Sequence, residues 1–264
     1  MTVATDALLD IATSAATRAG DHALRRFRAR VPTREKSGFH DLVTAVDHEA
    51  EDLIVEEILR RCPDSTIVAE ERGRQGHGAV HWYVDPIDGT NNFARGIPFF
   101  CVSIAAAVEG SLVAAAIHDP VRSELIAASP DGTFLNGEAV HASGASSDAA
   151  ALLLTDFPSP KGPPRAGDYA LLETLISSFG TVRRLGSGAL ALAYVACGRA
   201  DAAVLTNANV WDIAAGALLI ERAGGQQAAP AREDGMPAWM GPVFVAACSE
   251  LDLSRSQLSA FLRE

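Results

Sequence analysis

Asp85 and Asp88 are the residues of this sequence best suited to chemistry, and they lie in the stretch HWYVDPIDGTNNF. Residues 82–84 are aromatic and β-branched, which predicts a short buried strand that ends where Asp85 emerges. A proline and a glycine fix the following turn, so the two carboxylates can converge on one hard cation such as Mg²⁺. Gly89 and Thr90 offer an approachable backbone and a hydroxyl, which suit a phosphate beside that cation.

Two other interpretations of this stretch compete with a metal site. Asp-Pro and Asp-Gly pairs are common in ordinary turns that bind nothing, and these residues alone leave that interpretation open. An EF-hand calcium loop needs a ligand at its third position, a glycine at its sixth and a glutamate at its twelfth. Counted from Asp85, those positions hold Ile87, Thr90 and Gly96, so an EF-hand is excluded.

Composition narrows the class of protein. The 264 residues are 48% hydrophobic and 21% charged, which is typical of a globular protein with one large domain or two tightly packed small ones. A net charge of -11 with a pI near 5.1 argues against nucleic acid or an anionic membrane as the main partner. An anionic substrate would then need metal ions at its binding site.

The N-terminus and the cysteines bear on location. The first residues contain no apolar stretch long enough for a signal sequence or a membrane span, so we expect a cytoplasmic protein. The four cysteines are scattered and form no Cys-x-x-Cys pair, which indicates neither a zinc site nor a disulfide framework.

A second pair of carboxylates follows another predicted strand in the first half of the chain. Residues 67–69 are apolar and end at Glu70 and Glu71, which repeats the pattern of a buried strand followed by acids. A solvated strand end is the simpler interpretation of these two acids taken alone. The glycine-rich residues 73–78 are predicted to form a mobile loop. The other predicted elements of this half are helices at 7–28 and 49–61 and antiparallel strands at 101–108, 112–119 and 124–128.

The second half of the chain carries two further motifs. Gly186-Ser187-Gly188 matches a loose dinucleotide-binding pattern, but the acidic residue expected about twenty positions later is missing or misplaced. We therefore favour a helix N-terminus that faces some other ligand. Asp212 opens the last helix, where it is either an N-cap or a ligand. The predicted elements are strands at 152–155, 182–185 and 202–206 and helices at 169–179, 189–197 and 211–223.

Five segments of the chain are characteristic in combination: Lys36, Asp41-Leu42-Val43-Thr44-Ala45-Val46-Asp47, Ala69-Glu70-Glu71, residues 85–93 and Trp211-Asp212-Ile213-Ala214-Ala215-Gly216. Together these segments resemble the inositol monophosphatase family of magnesium-dependent, lithium-sensitive phosphatases. They occur in the family's order and span nearly the whole chain. The resemblance implies an α/β (α+β) fold layered α-β-α-β-α, in a single unit comprising residues 1–264. Its N-terminal half, about 1–145, would carry most metal ligands, and its C-terminal half, about 146–264, would select the substrate.

The resemblance also implies roles for individual residues. About two or three Mg²⁺ ions, which Mn²⁺ could replace, would activate the attacking water. Glu70, Thr90 and Asp47 would be catalytic, the last two by orienting and deprotonating that water, and Gly89 with Thr90 would bind the phosphate. The implied metal ligands are Glu70, Asp85, the Ile87 carbonyl, Asp88 and Asp212, and Lys36 with Glu71 would give electrostatic support. Further substrate contacts are expected in the second half of the chain, at Gly186, Ser187 and Gly188 of the predicted helix N-terminus and at Leu205 and Asp212.

Three positions depart from the family's pattern, namely Ala69, Asn91 and Leu205. Leu205 matters most, because the inositol-hydrolysing members have a glutamate there that contacts ring hydroxyls, and leucine cannot accept a hydrogen bond. We expect a phosphomonoesterase for a small phosphorylated alcohol, first of all inositol monophosphate, with histidinol phosphate and fructose 1,6-bisphosphate as alternatives. The rival class is a catalytically silent regulatory or interaction protein with the same fold. The resemblance further implies a homodimer and inhibition by Li⁺.

Overall fold

The computed structural model describes residues 4–27, 33–35, 42–159, 163–232 and 235–263. Lys36, one of the predicted supporting residues, lies outside these ranges. No helix in the described ranges is both long enough and apolar enough to cross a membrane. The helices are α1 (Thr5–Arg26), α2 (Ala45–Arg61), α3 (Thr90–Arg95), α4 (Asp168–Ser178), α5 (Gly188–Ala196) and α6 (Val210–Arg222), with a C-terminal 3₁₀ helix at Gln257–Leu262.

Two mixed sheets form the framework, beside a small pair of strands, β1 (Thr33–Glu35) and β2 (Leu42–Thr44). The larger sheet has eight strands in the order β10-β9-β8-β7-β6-β5-β3-β4, and the smaller has five in the order β12-β11-β13-β15-β14. The larger sheet comprises β3 (Ser65–Ala69), β4 (Gly73–Gly76), β5 (Val80–Asp88), β6 (Cys101–Val108), β7 (Ser111–Asp119), β8 (Glu124–Ser129), β9 (Gly132–Leu135) and β10 (Glu138–Ala139), and the smaller comprises β11 (Leu152–Thr155), β12 (Thr181–Arg183), β13 (Ala202–Thr206), β14 (Gln226–Ala228) and β15 (Val243–Ala247).

The helices pack in three layers around these sheets, which confirms the predicted α-β-α-β-α arrangement. Along β5, Trp82 and Val84 face the core beneath α1 and α2, whereas Tyr83 faces α5 and α6 on the other side. This alternation follows from the two-residue period of a strand. On the far side of the smaller sheet, Leu175 of α4 and Phe261 of the 3₁₀ helix complete the last layer.

Several boundaries differ from the sequence-based expectations. Residues 73–76, predicted as part of a mobile loop, form the edge strand β4 paired antiparallel with β3. An edge strand needs only backbone pairing, and the positive φ angles of Gly73 and Gly76, +69° and +74°, bracket it without strain. β5 runs on to Asp88 instead of ending at residue 84, so the two aspartates lie within the strand.

Smaller differences occur at helix starts and in the second sheet. α2 begins at Ala45 because Thr44 and Asp47 form a capping box there. The strand predicted at 182–185 is β12, at Thr181–Arg183. β14 and β15 have no counterpart in the sequence-based prediction, although β15 pairs with both β13 and β14.

Candidate metal and phosphate site

Three buried aspartates from distant parts of the chain meet at one point. Asp85 and Asp88 come from the end of β5, and Asp212 comes from the first turn of α6. One carboxylate oxygen from each lies within 4.8 Å of the others, and the three residues are 1%, 9% and 8% exposed. The structure therefore brings together the three aspartates that the sequence analysis named as metal ligands.

Local backbone features aim these carboxylates. The pairing of β5 with β6 is irregular between Asp85 and Asp88, and such a bulge re-aims side chains near a site. The Ile87 amide donates to Asp85 Oδ1 at 3.0 Å, which fixes that carboxylate. Asp212 belongs to a capping box and accepts from the Asn209 amide at 2.6 Å. Asp212 is therefore not the N-cap itself, as the simpler interpretation had it: Asn209 is the N-cap, and Asp212 closes the capping box three residues later while also belonging to the cluster.

The electrostatics of the cluster favour a cation. Burial raises the pKa of Asp85 well above its ordinary value, and the nearby charges of Glu70, Asp88 and Asp212 raise it further. Burial, followed by the charge of Asp212, raises the pKa of Asp88 to about 7. A divalent ion would offset this repulsion, and an all-oxygen donor set is the one that Mg²⁺ prefers. The residues present therefore fit Mg²⁺.

Thr90 and Asp47, the predicted water-orienting pair, are in contact. Thr90 opens α3, and its hydroxyl lies 3.1 Å from Asp47 Oδ1 and 3.0 Å from the Ile87 carbonyl oxygen. Asp47 is 1% exposed and also accepts from the amide and hydroxyl of Thr44. Burial raises the pKa of Asp47 even though these hydrogen bonds lower it.

A cavity of about 440 Å³ lies over the carboxylates. Gly89, at φ +95°, and Thr90 lie on its wall, as a phosphate site requires. Leu205 is 9% exposed and also lines it. The remaining lining residues are Glu70, Asp85, Ile87, Asp88, Asn91, Asn92, Asp156, Ser159, Arg184, Leu185, Gly186, Gly188, Thr206, Asn207, Ala208 and Asp212.

The Gly186–Gly188 segment divides between two environments. Gly186 and Gly188 line the cavity, but Ser187 is 3% exposed and its hydroxyl donates to Asp88 Oδ2. Backbone amides at the start of α5 also donate to Asp88, the Ala189 amide at 2.7 Å. The ligand that this helix N-terminus faces is therefore a carboxylate of the same chain, and its charge disfavours a dinucleotide pyrophosphate there.

Glu70 and Glu71 depend on a residue that the sequence analysis missed. Glu70 directly follows β3 and its amide donates to the Val84 carbonyl at 3.1 Å. Glu51 of α2 accepts from the amides of Glu71 and Arg72 at 2.8 and 3.0 Å, and it is fully buried. Glu70 and Glu71 therefore lie in a turn that the buried Glu51 carboxylate holds. An acidic residue in a helix gives no local sequence signal that it will bind the backbone of a distant turn.

Glu71, which was predicted to give electrostatic support, has a buried side chain near a histidine. Its side chain is 2% exposed, and Oε2 lies 4.0 Å from Nδ1 of His48.

Three cavity residues were not expected from the sequence. They are Asp156, Arg184 and Asn207, and they come from the C-terminal half of the chain. Each of them follows a strand of the smaller sheet, so only the arrangement of those strands could have indicated them.

Comparisons with known proteins show similarity over most of the chain. Residues 4–257 match the inositol monophosphatase family. A relative from Xylella fastidiosa named Nus factor SuhB is 43% identical over 187 residues, covering 70% of this chain and 68% of that protein. The extragenic suppressor protein suhB from Bartonella henselae superposes with a TM-score of 0.85 at 31% identity, covering 92% and 95% of the two chains. Inositol monophosphatase from Anabaena superposes with a TM-score of 0.81 at 32% identity, covering 97% and 96%.

Proposed function

Because this chain belongs to the inositol monophosphatase family, we propose that it is a magnesium-dependent phosphomonoesterase that hydrolyses a small phosphorylated alcohol. The observation that carries the proposal is the meeting of Asp85, Asp88 and Asp212 within 4.8 Å beside the Thr90–Asp47 contact at 3.1 Å. Carboxylates gathered in this way are costly without a cation, and a hydroxyl held by a buried carboxylate is suited to moving a proton.

The residues that would hold the ions are those on the floor of the cavity. We propose the carboxylates of Glu70, Asp85, Asp88 and Asp212 and the Ile87 carbonyl as ligands. When bound, Mg²⁺ supplies an acidified water and neutralises charge on the leaving oxygen. The Gly89 and Thr90 amides, at the start of α3, would bind phosphate oxygens and fix the ester for in-line attack.

Proton movement is assigned to Thr90 and Asp47. With its hydrogen donated to Asp47 Oδ1 at 3.1 Å, the Thr90 hydroxyl keeps its lone pairs for a water in the cavity. It can therefore accept a hydrogen bond from that water and relay a proton: the Thr90 oxygen takes a proton from the water as the Thr90 hydroxyl gives its own to Asp47 Oδ1. Glu70, which lines the same cavity, would complete the catalytic set by placing the water. The raised pKa of Asp47, caused by burial, makes it a better proton acceptor.

We predict that activity depends on Mg²⁺, that Mn²⁺ replaces it, and that Zn²⁺ does so poorly, because every proposed ligand is an oxygen atom. Li⁺ should inhibit by displacing one Mg²⁺. The measurement is phosphate release from a panel of monoesters in each metal, before and after EDTA. Full activity after exhaustive EDTA treatment would refute the metal requirement.

Inositol monophosphate is the substrate we propose first, with histidinol phosphate and fructose 1,6-bisphosphate next in the panel. Leu205 weakens the case for inositol monophosphate, because it lines the cavity and cannot accept a hydrogen bond from a ring hydroxyl. If inositol monophosphate is the natural substrate, the ring must be bound by other contacts. Leu205→Glu should then change its kcat/KM by less than about tenfold.

The same variant also provides the contradicting result. A gain of about a hundredfold or more for inositol monophosphate, with a loss for another alcohol, would identify that alcohol as the better substrate. Leu205→Gln, which adds an acceptor without a charge, separates hydrogen bonding from repulsion by the neighbouring carboxylates.

A regulatory or interaction role on the same fold is the second candidate function. It is favoured by the name Nus factor carried by the Xylella fastidiosa relative. What supports catalysis is the complete set of proposed carboxylates together with Thr90. Phosphate release with and without Mg²⁺ separates the two candidates, since a silent protein would release none.

A further inference from the structure

The two oxygens of the Asp88 carboxylate have different surroundings. Oδ2 accepts from the Ser187 hydroxyl and from the amides of Ala189 and Leu190, the latter two at 2.7 and 3.4 Å. Among the described residues, Oδ1 accepts one long hydrogen bond, from the Gly188 amide at 3.3 Å. The N-terminus of α5 therefore holds one oxygen firmly and leaves the other largely free.

Close backbone packing keeps the N-terminus of α5 against Asp88. A Cβ atom on Gly89 would lie 3.2 Å from both the Gly186 oxygen and Ser187 Cβ, so the two turns touch where Gly89 has no side chain. Asn92 donates to the Leu185 carbonyl at 2.7 Å, which ties the segment before α5 to α3. The position of Ser187 is thus determined by both halves of the chain.

The Ser187 side chain lies outside the lining of the large cavity. It is buried, and Ser187 is not among the residues that line the cavity of about 440 Å³. The Ser187 hydroxyl and the Cys101 thiol both contact Asp88 Oδ2, the thiol at 3.8 Å. The Ser187 hydroxyl, which the sequence led us to expect in contact with the substrate, therefore lies against the Asp88 carboxylate and outside the lining of this cavity.

We propose that Ser187 is a positioning residue: with the first amides of α5 it holds Asp88 Oδ2 and thereby presents Oδ1 to the metal ion. This inference rests on the proposed function, in which Asp88 is a metal ligand. A carboxylate held at one oxygen is pre-oriented and binds through the other. Residues that orient metal ligands typically contribute about 10- to 100-fold in metal affinity.

Direct cation binding tests this proposal without any turnover. Wild type and variants are titrated with Mg²⁺ by calorimetry, and with Mn²⁺ by electron paramagnetic resonance, in the absence of substrate. We expect Ser187→Ala to weaken cation binding by about 10- to 100-fold. Ser187→Thr, which keeps the hydroxyl, should restore the affinity to within a few-fold of wild type. Ser187→Cys, which is nearly isosteric but a weak donor, should behave like Ser187→Ala and covers the case in which the alanine variant does not fold.

Ser65→Ala is the matched control. Ser65 is 2% exposed, donates to the Cys62 carbonyl and accepts from the Trp82 indole at 3.0 Å, away from the cavity. Its loss should lower Tm while leaving the cation affinity unchanged. Equal cation affinity in folded Ser187→Ala and wild type would overturn the positioning role of Ser187 but not the proposed function. A loss of cation affinity in Ser65→Ala as large as that in Ser187→Ala would have the same consequence. A wild type that binds neither Mg²⁺ nor Mn²⁺ would overturn the proposed function as well.

Discussion

Asp88→Asn should reduce kcat/KM for any phosphate monoester by at least about a thousandfold while the protein stays folded. The substitution removes one negative charge from a cluster whose carboxylate oxygens lie within 4.8 Å of one another. It also leaves an amide where Oδ2 now accepts from Ser187 and α5. Both changes weaken the hold on a cation, so phosphate release and Mg²⁺ affinity should fall together. The measurement is phosphate release at saturating Mg²⁺, with circular dichroism to verify the fold.

Asp119→Asn is the matched control for that experiment. Asp119 is fully buried, but it pairs with Arg122 at 2.7 Å and is absent from the cavity lining. Its substitution should lower Tm and leave kcat/KM within a few-fold of wild type. Substantial phosphatase activity in folded Asp88→Asn would show that this carboxylate does not hold the catalytic metal.

Thr90→Val is expected to give the second large effect, a loss of about 10²- to 10⁴-fold in kcat. Valine keeps the shape of threonine but removes the hydroxyl that lies 3.1 Å from Asp47 Oδ1. The carboxylate cluster is untouched, so Mg²⁺ binding should persist while turnover falls. Thr90→Ser should recover most of the activity, because it restores the hydroxyl. Steady-state kinetics with Mg²⁺ titration measures both quantities.

Asp47→Asn extends the test to the other member of the pair. It retains hydrogen-bonding capacity but cannot accept the proton, so its defect should resemble that of Thr90→Val. The double variant should be little worse than either single one, because the two residues act as a unit. Independent, multiplicative losses would contradict a shared proton path.

The layered fold and the meeting of the three aspartates were predictable from the sequence, because local pattern and long-range geometry agree there. Alternating faces along β5 separate Trp82 from Tyr83 into different cores, and that alternation can be read from a strand pattern. The meeting of Asp212 with Asp85 and Asp88 was predictable through the family resemblance. Spacing alone could not reveal it, because α6 reaches β5 only through tertiary packing.

The missed features depend on contacts between distant segments. The glycine-rich β4 carries no apolar pattern and becomes a strand because β3 offers it a free edge. Glu51 gains its role from two amides about twenty positions later in the chain. Ser187 was assigned to the substrate because a helix N-terminus often faces an anion, and the anion here is Asp88. Homodimer formation, cytoplasmic location and the absence of a nucleic-acid partner stay predictions.

The central claim is that this chain uses bound Mg²⁺ to hydrolyse a phosphate monoester. Its most direct test measures inorganic phosphate released from inositol monophosphate by purified wild-type protein with Mg²⁺, after EDTA, and after Mg²⁺ is restored, with histidinol phosphate and fructose 1,6-bisphosphate run in parallel. We predict release in the first condition, loss of release in the second and recovery in the third, for at least one of these esters. Folded protein that binds Mg²⁺ yet releases no phosphate from any of them would contradict the account.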